Sequence, residues 1–348
     1  MAAEVGPAVA ATDRRYAAHY ADGVIRLTDT SARLAAAISP AAGNVTFELL
    51  VGGRNALWFP YASIADFKAR GHGRAGIPFL GPWANRLDEP AFYANGRRFA
   101  FDMDIGNVRG DVPIHGLLME TDRWQVIETG ADDSSAWVTS RLDFYREPLW
   151  MKQFPFAHAV CHTHRVKDGA LEIATSIENS SAEPMPVSIG FHPYFQLADS
   201  DRHDWMVSIG ARRRWRLAAT KAPNGETEPV ERLLPDPDAV PIRDHNLDDV
   251  FDDLVRDQAG TAITSLWSGK QRIDVQVGAN YRSIVVFAPD PAASRAGAAG
   301  PGPFVCLEPM AGISNSMNLA HRGLYADLQY IPPGGVWEEL FRVTPSGF

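Results

Sequence analysis

The chain has 348 residues, and its 45% hydrophobic and 22% charged residues are typical of a globular protein rather than a disordered or fibrous one. Its 33 basic and 42 acidic residues give a formal net charge of -9, which argues against nucleic acid as a partner. Two cysteines, Cys161 and Cys306, are too few for a disulfide scaffold and favour a reducing compartment. No apolar run reaches the roughly 18 residues of a membrane span. We therefore expect a cytoplasmic protein without a membrane partner.

The N-terminus is expected to be a poorly ordered leader over residues 1–19. Its opening, MAAEVGPAVAATDRRY, lacks a positive n-region, and Pro7 interrupts the short Ala/Val stretch, so it is not typical of a secretory signal. A Pro/Gly/Ala-rich stretch at 290–303 has the composition of a linker. Because strand-like runs flank it on both sides, we interpret it as an insertion in a hairpin rather than a domain boundary.

Short alternations of apolar and polar residues, separated by turn residues, dominate the chain and predict strands. The clearest hairpin covers residues 156–177, with turn chemistry at Val166-Lys167-Asp168-Gly169. Other strand candidates are 124–129 with 136–144, 283–288 with 304–307, and 31–39, where helix-forming alanines leave the assignment open but strand is preferred. Many strands at this spacing predict packed antiparallel sheets.

Two motifs match known binding patterns only in part, and the residues in and around them argue against both sites. The stretch Gly71-His72-Gly73-Arg74-Ala75-Gly76 matches G-x-G-x-x-G, but no apolar strand precedes it and Ile77-Pro78 prevents a helix from following, so a dinucleotide site is not expected. Residues 244–255 begin like a calcium loop, yet Asp249 stands where glycine is required and Val255 where glutamate is required.

Three histidines would share one strand face, because side chains on a strand repeat every two residues. They are His158, His162 and His164. Such a pattern can bind zinc, but no acidic or sulfur ligand of clear spacing lies nearby, so packed or solvated histidines are the preferred interpretation and no metal is expected. No Gly-x-Ser-x-Gly elbow is present, which leaves a hydrolase triad without support.

Four segments hold the chemically unusual residues. They are GPWANRLDEP with Asn85 and Arg86, PIHGLLMETDRW with His115, SIGFHPYFQL with His192, and CLEPMAGISNSMN with Glu308. Glu308 follows a probable buried strand, where a carboxylate is costly to desolvate unless partners or catalysis account for it. For His192, a hydrogen-bonded core role and a functional role stay equally open from its segment alone.

In their order along the chain, these segments resemble the aldose 1-epimerase (galactose mutarotase) family. The resemblance rests on Pro-Trp-Ala-Asn-Arg, Ile-His-Gly, His-Pro-Tyr-Phe, Leu-Asp-Asp-Val-Phe and Leu-Glu-Pro, and it extends from about residue 38 to residue 342. It implies an all-β fold, a large antiparallel β-sandwich of the galactose mutarotase type (supersandwich), as a single domain over residues 20–348. It also implies a monosaccharide substrate, no cofactor, and a monomer or homodimer.

The resemblance further implies roles for individual residues. The family's catalytic base matches Glu308 and its catalytic acid His192, with His115 assisting. The residues that would hold substrate hydroxyls are Arg86, Asn85 and Asp248, although a shift of one residue would exchange Asp248 with Asp249. The aromatic residues Trp83, Tyr194 and Phe195 are candidates for flanking the sugar, with a core role preferred for at least half of them.

The chemistry of such an enzyme explains the residue types. The base removes the proton of the C1 hydroxyl while the acid protonates the ring oxygen, and the ring opens to the free aldehyde. After rotation about the C1–C2 bond, the same two groups reverse their proton transfers and close the ring. For unperturbed groups, ionised Glu308 and protonated His192 coexist best between about pH 4.3 and 6.5.

Three alternatives remain. A hexose 6-phosphate 1-epimerase would need basic side chains for the phosphate, for which Arg70 and Arg74 are candidates. A non-catalytic sugar-binding domain on the same fold would not need Glu308 and the two histidines together. A glycosidase would use Glu308 and Asp248 as its carboxylate pair but would leave the histidines unexplained.

Overall fold

Antiparallel strand pairs make up most of the regular structure in the computed structural model, which describes residues 14–70, 73–105, 108–109, 111–289 and 302–348. The glycine motif at 71–76 and the insertion at 290–303 therefore lie partly outside the described residues, as does the leader up to residue 13. No helix in the described ranges is long and apolar enough to cross a lipid bilayer.

The elements up to residue 179 are β1 (Tyr16–Ala21), β2 (Val24–Asp29), β3 (Leu34–Ser39), β4 (Val45–Val51), β5 (Arg54–Asn55), α1 (Ile64–Arg70), β6 (Phe79–Leu80), β7 (Ala91–Ala94), β8 (Arg97–Ala100), β9 (Val108–Arg109), β10 (Val112–Pro113), β11 (Gln125–Ala131), β12 (Ala136–Asp143), α2 (Pro148–Gln153), β13 (His158–Lys167) and β14 (Ala170–Asn179). The remaining elements are β15 (Met185–Val187), β16 (Gly190–Phe191), β17 (Tyr194–Phe195), β18 (Met206–Ser208), β19 (Ala211–Leu217), β20 (Pro223–Pro229), β21 (Val240–Pro241), β22 (Leu247–Leu254), β23 (Ala262–Ser268), β24 (Gln271–Val277), β25 (Ser283–Ala288), β26 (Val305–Met310), α3 (Ser316–His321), β27 (Gln329–Ile331) and β28 (Val336–Ser346). Short 3-10 turns cover Pro40–Ala42, Phe144–Arg146, Arg202–Asp204, Val230–Arg232 and Ile242–Asp244.

Three large sheets build the architecture. An N-terminal sheet runs β1-β2-β3-β4-β5, and a nine-stranded sheet runs β11-β12-β13-β14-β28-β24-β23-β18-β21. An eight-stranded sheet runs β20-β19-β22-β25-β26-β16-β6, with β17 also paired to β26. Inward side chains of all three sheets, among them Leu27, Ile173 and Leu307, join one large hydrophobic core. The predicted all-β class with packed antiparallel sheets is confirmed.

The β13–β14 hairpin illustrates why the sequence folds this way. Burial alternates along both strands, so one face enters the core while the other is at least partly open to solvent. Asp168 (φ 47°) and Gly169 (φ 70°) form the two-residue connection, and positive φ at both positions is what a type I′ turn requires. The hairpins predicted at 124–144 and 156–177 are confirmed, and 31–39 contributes the strand β3.

The prediction of a poorly ordered leader over residues 1–19 is wrong for its last residues, which belong to a strand. β1 begins at Tyr16 and pairs with β2 along its whole length. The side chain of Tyr16 is buried in the core, and Arg15 makes a two-pronged ion pair with the buried Asp29 at 3.0 Å. These long-range contacts order residues that carry no strong strand signal of their own.

The three histidines of β13 face the core. His158 Nδ1 lies 2.7 Å from the carbonyl oxygen of Phe156, and the ring of His162 packs against Phe79 and Trp124, each with centroids 4.5 Å apart. Burial lowers the pKa of His158 to about 4 and that of His164 to about 3. The preferred interpretation of packed histidines therefore agrees with their positions.

Candidate active site

Strand register places His192 opposite Glu308. In the antiparallel pairing with β26, Gly190 lies opposite Met310 and Tyr194 lies opposite Cys306. His192 is midway between Gly190 and Tyr194, and it therefore faces Glu308, which is midway between Cys306 and Met310. His192 Nε2 lies 3.2 Å from Glu308 Oε1, and the side chains are 7% and 1% exposed. The two residues that the resemblance marks as acid and base thus form a buried pair.

Alternation along β26 decides which way Glu308 points. Val305 and Leu307 enter the main core, whereas Cys306 and Met310 turn to the opposite face of the sheet, and Glu308 shares that face with them. Cys306 belongs to an aromatic cluster that includes Trp58, Tyr194 and Phe304. Met310 belongs to a second cluster with Val250 and Val285. The carboxyl group therefore lies between two apolar clusters.

This apolar setting disfavours the charged form of each partner. Desolvation lowers the pKa of His192 from its usual 6.5 to about 3, with smaller contributions in the same direction from Arg86 and Arg74. Desolvation also raises the pKa of Glu308 well above 4.5; Asp248 adds to this and Arg86 opposes it. The pH window of about 4.3 to 6.5 holds for unperturbed groups and does not apply to this buried pair. A pair that shares one proton and carries no net charge is favoured instead.

Arg86 and Asp248 form an ion pair beside the His192–Glu308 pair. The two guanidinium nitrogens of Arg86 lie 3.1 and 3.4 Å from the two carboxylate oxygens of Asp248. Asn85 Oδ1 accepts a hydrogen bond from the Arg86 amide at 2.8 Å and from its guanidinium at 3.2 Å. The charge on Arg86 is therefore held in a fixed direction by two neighbours.

The structure separates Asp248 from Asp249. Asp249 binds Arg214 at 2.7 and 2.9 Å, near the edge strands β19 and β20. Adjacent residues of a strand point to opposite faces, so only one of the two aspartates can reach Arg86. Asp248 is the one that does.

His115 comes from a loop that runs beside the Asn85 segment. Its amide donates to the carbonyl of Asn85 at 3.0 Å, and both residues have positive φ, 60° and 55°. The next residue, Gly116, approaches Gly81 so closely that a Cβ would lie 2.1 Å from the Gly81 oxygen. This close approach brings the His115 ring to 5.3 Å from that of His192, at 76°.

Other sequence candidates lie elsewhere. Trp83 and Phe195 are part of the main core, with Trp83 packed against Phe101 at 4.6 Å. Arg70 is paired with Asp66 one helical turn away, at 2.5 and 2.6 Å. Arg74 is exposed and makes no ion pair within the described ranges, yet its charge acts on His192 and Tyr194.

Sequence reasoning missed the aromatic walls of His192. Tyr194 stacks on the imidazole with centroids 4.6 Å apart, and Phe287 meets it edge-on at 6.0 Å. The His-x-Tyr spacing carried a signal for the first contact, since residues two apart share one face of an extended segment. Phe287 lies on another strand, β25, and no local pattern indicated it.

Comparisons with known proteins agree with this architecture. The chain resembles three solved structures: a galactose mutarotase-like protein from Clostridium acetobutylicum (21% identity, TM-score 0.80, covering 96% of this chain and 98% of that one), a GalM/aldose epimerase homologue from C. elegans (18%, 0.72, 91% and 96%), and galactose 1-epimerase from Lactobacillus acidophilus (15%, 0.72, 96% and 98%). At these identities the likeness concerns the fold. The family model described as aldose 1-epimerase matches residues 24–323. The chain belongs to the aldose 1-epimerase family.

Proposed function

We propose that this protein is an aldose 1-epimerase that interconverts the α and β anomers of a free aldose. The observation that carries the proposal is the buried contact of 3.2 Å between His192 Nε2 and Glu308 Oε1, beside the Arg86–Asp248 ion pair. Membership of the aldose 1-epimerase family supports a sugar as substrate. A base that accepts the C1 hydroxyl proton and an acid that donates a proton to the ring oxygen are the minimum that ring opening requires.

The reaction uses the proton that the pair holds. In the reactive arrangement Glu308 is a carboxylate and His192 an imidazolium, a state reached by moving one proton across their contact without changing the net charge. The sugar replaces that contact, with its C1 hydroxyl against Glu308 and its ring oxygen against His192. Glu308 takes the hydroxyl proton, the C1–O5 bond breaks as C1 becomes a carbonyl, and His192 delivers its proton to O5.

Ring closure reverses these transfers. After rotation about C1–C2, the O5 hydroxyl attacks the other face of the aldehyde, returning its proton to His192 while Glu308 protonates the carbonyl oxygen. The pair is then back in its starting state, so no other reagent is consumed. The neutral arrangement favoured by burial, with the proton on Glu308 and a neutral His192, is the one that ring closure needs.

Arg86, Asp248 and Asn85 are suited to holding the sugar. The guanidinium donates to ring hydroxyls, and the Asp248 carboxylate accepts from them with lone pairs that do not face Arg86; Asn85 contributes by fixing the guanidinium, since its side-chain oxygen already accepts twice from Arg86. Fixing the ring against the pair reduces the entropy lost on reaching the transition state. The positive charge of Arg86 also opposes the rise in the Glu308 pKa, which favours the carboxylate when the base is needed.

The hexose 6-phosphate alternative receives less support from the site. A dianionic phosphate normally needs two or more convergent cations, but of the two candidate arginines Arg70 is already paired with Asp66, which leaves Arg74. The glycosidase alternative is weakened because both oxygens of Asp248 are already bound by Arg86.

Polarimetry tests the proposal directly. Freshly dissolved α-glucose and α-galactose are followed with and without the protein, and with Glu308→Gln as the matched inactive control. We expect the protein to speed the decay to equilibrium rotation well beyond the buffer rate. If neither sugar decays faster while calorimetry shows that sugar binds, the protein is a binding domain and the proposed activity is wrong.

A further inference from the structure

The imidazole of His192 is enclosed by three rings. Tyr194 lies flat against it, with centroids 4.6 Å apart and planes inclined by only 11°. Phe287 and His115 meet it nearly at right angles, at 78° with a 6.0 Å separation and at 76° with a 5.3 Å separation. One parallel wall and two perpendicular walls leave the ring little freedom to rotate.

Tyr194 is itself held from several sides. Its backbone amide donates to the carbonyl of Gly76 at 2.8 Å, and its carbonyl accepts from the amide of Trp58 at 2.9 Å. The ring packs against Trp58 and Phe304, with centroids 5.9 and 5.1 Å away. The wall behind His192 is therefore rigid and continuous with the aromatic cluster.

The contacts of His192 also explain why such a wall is needed. Its Nδ1 is buried and bonds to no other residue among those that the structure describes, so no second side chain orients the ring from that nitrogen. A histidine that acts as an acid is usually oriented by a hydrogen bond at its second nitrogen. Here stacking has to replace that bond.

We infer that Tyr194 is a positioning residue: its ring fixes the plane of the His192 imidazole so that Nε2 faces Glu308 and, in the complex, the ring oxygen of the sugar. This inference rests on the proposed function. The flat face of the side chain performs the task and its hydroxyl does not. Tyr194 acts on the reaction only through His192.

Two substitutions separate the ring from the hydroxyl. Tyr194→Phe keeps the flat face and should retain at least about half of the wild-type kcat, whereas Tyr194→Leu removes it and should lower kcat by about 30-fold or more with KM changed less than about threefold. Tyr281→Leu is the matched control, because Tyr281 is also buried but meets the rings of Trp337 and Phe341 edge-on rather than stacking on His192. It should leave kcat of the folded protein unchanged. If Tyr194→Leu does not fold, Tyr194→Met serves the same purpose, because its flexible side chain adapts to the gap in the core and has no flat face.

A second measurement does not depend on activity. NMR titration of the His192 ring nitrogens should show its pKa rising in Tyr194→Leu, because water reaches the ring, and staying low in Tyr194→Phe and Tyr281→Leu. An unchanged His192 titration together with full kcat in Tyr194→Leu, or an equal kcat loss in Tyr194→Phe, would overturn the inference. If the wild type shows no mutarotation but the titrations behave as expected, the proposed function fails while the positioning of the ring stands.

Discussion

Glu308 on β26 lies opposite His192, which stands between β16 and β17, and their side chains meet at 3.2 Å in a setting from which water is almost excluded. Because burial disfavours both the carboxylate and the imidazolium, neither group is expected to titrate as an isolated side chain. The pair retains one proton between its two members. This relationship leads to the first three predictions.

Replacing Glu308 by Gln should lower kcat by about 10²- to 10⁴-fold, because the amide preserves the shape of the side chain and cannot accept the C1 proton. The fold should persist, since the substitution removes an ionisable group from a buried position. Polarimetry and thermal unfolding measure the two effects, and Glu338→Gln, on the solvent side of β28, is the surface control. A folded variant with more than about a tenth of wild-type kcat would remove Glu308 from the role of base.

His192→Asn should cause a similarly large loss of kcat, and His115→Asn a smaller one. The His192 ring lies 3.2 Å from Glu308 Oε1, whereas the contact between the two histidines is edge-on, with ring centroids 5.3 Å apart. Single-turnover and steady-state polarimetry on both variants provide the comparison. Should His115→Asn prove the more damaging, the assignment of the acid is reversed.

A plot of kcat/KM against pH should show a plateau that is broader than a glutamate and a histidine of ordinary pKa would give. The pair gains its second proton only when His192 is protonated, and burial lowers the pKa of that step to about 3. It loses its last proton only at the raised pKa of Glu308. Activity should therefore continue above pH 6.5, where an ordinary histidine would be neutral. A bell-shaped profile with limbs near about pH 4.3 and 6.5 would contradict this expectation.

Stability should fall as the pH drops below 6.5. The core histidines of β13 have a folded-state pKa below the unfolded value, about 4 for His158 and about 3 for His164, so the unfolded chain binds more protons in this range. Each such histidine adds a slope of about 1.4 kcal/mol per pH unit. Urea unfolding of His158→Gln between about pH 4.5 and 6.5, the range between the folded and unfolded pKa values of this histidine, should show a shallower pH dependence of stability than the wild type. The exposed His203→Gln should keep the wild-type slope, and an unchanged slope in His158→Gln would exclude this account.

A free aldose should be preferred to its 6-phosphate by at least about tenfold in kcat/KM, or roughly 1.4 kcal/mol of transition-state free energy. Arg70 is already paired, and Asp248 places a carboxylate beside the site. Glucose, galactose and glucose 6-phosphate are compared on wild type and Arg74→Ala, with Arg54→Ala as a control at an exposed arginine. The reverse preference, lost in Arg74→Ala, would make Arg74 a phosphate contact and favour the alternative epimerase.

Local patterns in the sequence determined much of the fold. The alternation along β13 and β14 and the Asp168-Gly169 turn specify a hairpin without help from distant residues, because period-two burial and positive φ are properties of short segments. The predicted leader failed for the opposite reason. Tyr16 is ordered by the core and by Asp168, more than a hundred residues away.

For the candidate site, the sequence by itself identified the residues but not their relationships. The motifs marked Glu308 and His192, yet that they meet at 3.2 Å follows from the register of β16 and β17 against β26. The choice between Asp248 and Asp249 depended on which face of the strand meets Arg86. The lowered pKa of His192 depended on its burial among apolar residues from distant segments. The register of the strands, the sheet face on which each side chain lies and the exclusion of water from the site are set only when distant segments pack together. Only the tertiary structure therefore decided them.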